Sequence, residues 1–185
     1  MAMLSKNIYN PDYFQRLCPV LEEFLPQFDW QCFIFRVFDN TWPDLELKER
    51  VRHICRVVHD FLPPDFTIAA KQLVMISHVL RNTQSHNQHH QNIFIPHYIE
   101  VYGQDHPEDA LNALGEITKL VSAEFAIRPF IIRYPDLSVR YLYKWSMSDD
   151  GRVRRLSRKG YRHLKGLPAS KSPFRGNSLL AENVL

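Results

Sequence analysis

The chain has 185 residues, 45% of them hydrophobic, which is enough to bury the core of one ordinary domain or a short stack of helical repeats without disulfide or metal staples. Three widely spaced cysteines, Cys18, Cys32 and Cys55, sit in apolar patterns with no Cys-x-x-Cys or Cys/His zinc spacing, so they are expected to be reduced core thiols of a cytoplasmic protein. No signal-peptide pattern opens the sequence and no run approaches a membrane span, which excludes membrane-embedded functions from the expectation.

Helix start signals then recur in chain order, with almost no period-two alternation. Asn10-Pro11-Asp12 predicts a first helix: Asn caps, Pro fits the first turn, and Asp suits the positive end of the dipole. A short second helix is expected from Asp29. A third, 44–62, places Leu47, Val51, Ile54, Cys55, Val58, Phe61 and Leu62 on one face. Pro63-Pro64-Asp65 ends it and introduces a fourth, 66–81. The polar stretch Asn82–Asn92 reads as a loop. Helical patterns follow at 96–102, 107–120, 122–132 and 136–146, and a last one from about Asp149 carries a basic block. Short helices joined by Pro- or Asp-marked turns predict an all-α fold, a HEAT-like helical-repeat solenoid of stacked antiparallel pairs. The domain is expected over 1–163, with 164–185 a basic, disordered tail.

The net charge of +3 conceals an asymmetry. Arg152 to Arg175 holds nine of the 23 Lys and Arg residues and no acid, leaving 14 basic against 20 acidic residues elsewhere. Such a block suits phosphate contacts, and equally a solvated helix face. Within Val121–Phe130, Glu124 and Arg128 stand four apart in an apolar setting. If exposed they form a pair worth about 0.2–0.5 kcal/mol; if partly buried, Arg128 holds a carboxylate toward a groove. Spacing favours the first reading. Trp145 either stacks on a sugar or base, or plugs the core between helices. His86, His89 and His90 have spacings that a helix could turn toward a metal, but no carboxylate is near to orient them, so no metal is expected. No cofactor motif is present.

VSAEFAIRPF, taken with LELKERVRHI, IFIPHYIEVYG and WSMSDDGRVRRL, resembles the AlkC branch of the AlkC/AlkD-type DNA alkylation-repair glycosylases, over residues 9–156. The resemblance implies hydrolysis of the N-glycosidic bond of cationic alkylated purines, on double-stranded DNA, by a monomer that is nucleoid-associated when bound. It makes Glu124 the catalytic carboxylate and sets Arg154 and Arg155 against the DNA backbone; Arg128, Trp145, Arg152, Arg158 and Lys159 are the further candidate substrate and DNA contacts. The family pattern departs after Leu156: Lys159 stands where a second acidic residue is expected, and the further helical repeats do not follow Gly160. A shift of reading frame just after Leu156 would join both departures. These departures keep two other readings open, a catalytically inactive nucleic-acid-binding repeat and a protein-interaction scaffold that meets its partner through the acidic body.

Overall fold

A computed structural model describes residues 5–166. Among these, α-helices run over Pro11–Phe24 (α1), Trp30–Val37 (α2), Leu47–His59 (α3), Phe66–Thr83 (α4), Phe94–Tyr102 (α5), Pro107–Ile117 (α6), Arg128–Arg133 (α7), Pro135–Ser146 (α8) and Gly151–Lys165 (α9). Short 3-10 helices cover Ser5–Ile8, Trp42–Asp44 and His86–Asn92, and no strand occurs among the described residues. None of the helices is long and apolar enough to cross a membrane. The expected tail beyond Gly166 lies outside the described residues; α9 itself continues past the expected boundary at 163 to Lys165.

Local signals set most helix starts. Asn10, Asp29 and Asp65 each accept a hydrogen bond from the amide three residues on, at 2.9–3.1 Å, satisfying donors that a helix leaves without intrahelical partners. Glu46 and Glu49 close a capping box at the start of α3. Packing then stacks the helices in layers. α3 lies on α5, α4 on α6, α6 on α8 and α7 on α9, while neighbours α5 and α6, and α8 and α9, also touch. Contact with both the next helix and the next but one is the arrangement a two-layer repeat stack needs.

Two glycines allow this stack to close. A Cβ on Gly115 in α6 would lie 2.7 Å from Trp145 Nε1 in α8, and one on Gly160 in α9 would overlap the Leu142 side chain in α8. Trp145 is thereby seated in the core, 6% exposed, edge-on to Tyr141, matching the plug reading of this residue. As placed, it turns no open ring face to a ligand.

Three expectations are corrected. Cys32 is exposed, because α2 turns Phe33 and Val37 inward and Cys32 outward; Cys18 and Cys55 are buried as expected. The polar stretch read as a loop contains a 3-10 helix with a Ser85–Gln88 capping box, and its Asn92 is fully buried. Asn92 Nδ2 donates to Gln84 Oε1 at 2.8 Å, and its Oδ1 accepts from Tyr13 at 3.2 Å, so a polar network rather than an apolar face pins the segment to α1. The helix expected over 122–132 starts only at Arg128; residues 124–127 form a turn.

Candidate nucleic-acid interface

The turn before α7 brings Glu124 against α9. Ser122 accepts a weak 3.4 Å bond from the Glu124 amide, so it caps a turn rather than a helix. Pro129 falls in the first turn of α7, a position where its missing N–H costs nothing. The Glu124 side chain, 20% exposed, has Lys159 Nζ at 3.3 Å and Arg128 Nη2 at 3.8 Å. The Arg128 guanidinium lies over the exposed Phe125 ring, 4.3 Å from its centroid. Both sequence readings of the Glu124–Arg128 pair meet here: it is an i, i+4 pair, and its carboxylate lines a cleft.

That cleft has a volume of about 400 Å³. It is lined by His86, His89 and His90 of the 3-10 helix, by the segment after α6 as far as Glu124, and by Arg152, Arg155 and Lys159 of α9. Burial, with the nearby charges of Arg152, His86 and Arg81, holds His89 below its ordinary value against the pull of its bond to the Gln84 carbonyl. Behind Glu124, burial and then the Arg128, Lys159 and Arg162 charges push His163 down in the same direction, with Glu124 opposing. Among the described residues no group of His, Cys, Asp or Glu is arranged to hold a metal ion.

Helix α9 displays its cations by a strongly amphipathic pattern. Val153, Leu156, Gly160, Tyr161 and Leu164 face inward, and Arg154, Arg155, Arg158 and Arg162 face out. Its start is fixed by Asp150, which accepts from the Arg152 and Val153 amides at 2.8 and 3.3 Å and pairs with Arg81 at 3.2 Å. Burial works against ionisation of Asp150, but those two amide bonds and the charges of Arg81 and Lys119 outweigh it and hold the carboxyl below the usual range.

The basic residues singled out by the sequence divide into distinct roles. Arg152 donates to the carbonyls of Lys119 and Leu120, just after α6, and approaches His86 at 2.7 Å. Arg154 donates to the carbonyls of Ser148 and Asp149 at 2.7 and 2.8 Å, tying down the turn into α9. Arg128 and Lys159 flank Glu124. Arg155 and Arg158 are exposed and make no hydrogen bond or ion pair with any described residue. The sequence missed the wall of histidines as part of this site; the Ser-x-x-Gln capping box at Ser85 was the signal that the stretch is ordered.

Fold and cleft together define an all-helical repeat protein of HEAT-like type, with one basic helix bordering a carboxylate-bearing groove. The structure matches that of Pseudomonas fluorescens alkylpurine DNA glycosylase AlkC bound to DNA containing an abasic site analog, with a TM-score of 0.76 and 24% identity, over 100% of this chain and 50% of that one. The chain is also 33% identical over 171 residues to the uncharacterized protein YhaZ of Bacillus subtilis strain 168, covering 90% of this chain and 46% of YhaZ. It therefore spans about half the length of each. No family model matches it. The all-helical HEAT-like fold and the likeness to AlkC expected from the sequence are both present in the structure.

Proposed function

We propose that this chain acts in DNA alkylation repair, as a duplex-binding helical-repeat module of the alkylpurine glycosylase type, with Glu124 as the carboxylate facing the damaged nucleoside. The observation that carries this reading is the convergence of Glu124 and the basic wall of α9 on one cleft, in a fold shared with a glycosylase bound to DNA. A purine alkylated at a ring nitrogen is already cationic and departs readily. The protein then has to stabilise the positive charge that develops on the sugar and to position a water, work for which a fixed carboxylate is suited. Arg155 and Arg158, without partners among the described residues, are the side chains available to neutralise phosphates.

One observation favours a second reading, binding without base excision. Lys159 Nζ, 3.3 Å from the Glu124 carboxylate, places a positive charge beside the sugar that must become positive. Release of methylated purines from alkylated duplex DNA separates the two. Excision that Glu124→Gln lowers by at least about 100-fold, the usual size of losing one such electrostatic group, supports the glycosylase. Absence of release with intact salt-dependent duplex binding, and release gained by Lys159→Glu, supports the binding module. Absence of duplex binding overturns both and leaves the protein-interaction scaffold.

A further inference from the structure

Lysine beside a carboxylate in a DNA-facing cleft has a chemistry of its own. Lys159 Nζ and Glu124 Oε1 form an ion pair 3.3 Å apart, from which a small side-chain rotation reaches proton-transfer distance. Their side chains are 30% and 20% exposed, so both are reachable yet held. The cleft they border, about 400 Å³, is of a size that takes a small ligand such as a base-less sugar. His90 and Arg155 also line it.

We propose that Lys159 is a Schiff-base nucleophile toward the aldehyde of an abasic deoxyribose in DNA, giving this chain strand-cleaving lyase activity at abasic sites, with Glu124 as its proton-transfer partner. The inference rests on the DNA-binding reading above but not on base excision. The ring-opened abasic sugar offers a C1′ aldehyde. Glu124 takes one proton from the Lys159 ammonium; the freed amine adds to the aldehyde, forming the Nζ–C1′ bond as the carbonyl oxygen takes a proton from the added nitrogen; protonated Glu124 then gives its proton to the carbinolamine hydroxyl, which leaves as water, giving the iminium. The Glu124 carboxylate then takes a proton from C2′. That electron pair forms the C2′–C3′ double bond as the C3′–O bond breaks and the 3′ phosphate departs. Water hydrolyses the imine, restoring the amine and releasing an unsaturated aldehyde. Arginine in place of Lys159 keeps the charge but cannot complete this cycle.

The test uses the full chain with a duplex carrying one natural abasic site, in the presence of cyanoborohydride, which reduces the imine to a stable covalent link. A duplex with a tetrahydrofuran abasic analogue, which has no aldehyde, reports binding in parallel. The expected result is a covalent adduct mapping to Lys159, cleavage 3′ to the abasic site without reductant, and loss of both by at least about 100-fold per bound duplex in Lys159→Arg. Glu124→Gln should bind the analogue and cleave slowly. Binding of the analogue without adduct or cleavage overturns the proposal while sparing the DNA reading. An adduct undiminished in Lys159→Arg overturns it by assigning the chemistry to another amine. Failure to bind the analogue overturns the DNA reading and this proposal with it.

Discussion

Arg152 and Arg155 are three residues apart on α9 and look alike in sequence, yet the structure gives them different work. The Arg152 guanidinium closes on the carbonyls after α6 and on His86, whereas Arg155 points into the cleft with no described partner. Arg152→Gln is therefore expected to cost about 1–3 kcal/mol of folding stability, because two part-buried carbonyls lose a charged donor. Arg155→Gln should stay within about 0.5 kcal/mol of wild type in the same denaturant titration. It should instead lower duplex affinity, with the slope of log affinity against log salt reduced by about one. Equal effects of the two variants on stability would refute this division.

At the scale of the element, α9 and the histidine-bearing 3-10 helix are held by polar groups that a hydrophobic pattern does not reveal. Asp150 caps α9, and its carboxyl is held below the usual range. A depressed carboxyl contributes stability above its unfolded value of about 3.9 and loses it as pH falls through the folded value. Asp150→Asn keeps a capping oxygen but removes the titration. The wild-type melting temperature should fall more steeply than that of Asp150→Asn as pH drops from about 5 to about 3, and coincident profiles would count against the ionised cap. In the 3-10 helix, Asn92 joins Tyr13 of α1 to Gln84. Asn92→Leu leaves both without partners and should cost about 1–3 kcal/mol for each group left unsatisfied. Hydrogen exchange at His86–His90 should rise in that variant, since the wall of the cleft loses its tie to α1.

Across the whole molecule, the position of α9 relative to Glu124 depends on close approach between helices that are distant in sequence. Gly160 meets Leu142, and Gly115 meets Trp145, at separations that leave no room for a methyl group. Gly160→Ala gains helix propensity of about 1 kcal/mol but must displace the fully buried Leu142, so a net loss of about 1–2 kcal/mol is expected from chemical denaturation. A gain in stability would mean that α8 and α9 can part without cost. The displacement should also loosen the Lys159–Glu124 contact, because Lys159 adjoins Gly160.

Much of this architecture was legible in the sequence because it follows from local physics. Capping residues at Asn10, Asp29 and Asp65, prolines in first turns, and apolar spacing on α3 and α9 depend on neighbours within a few residues, and they locate the helices within a turn or so. Sequence alone also put Glu124 and the basic residues of α9 forward as candidates. The turn at 124–127, the buried Asn92, the outward Cys32 and the choice between the two readings of Trp145 were not legible in that way. Each is decided by which surface a distant segment presents: Tyr13 and Gln84 for Asn92, Gly115 for Trp145, and α9 for Glu124. The sequence by itself determined an all-helical repeat chain with a basic final helix, because helix formation and charge pattern are written locally. Only the tertiary structure decided that Lys159 sits on Glu124, that Arg152 serves the fold, and that the histidines of the 3-10 helix line the same cleft, because those relations join residues roughly 30 to 70 positions apart through packing.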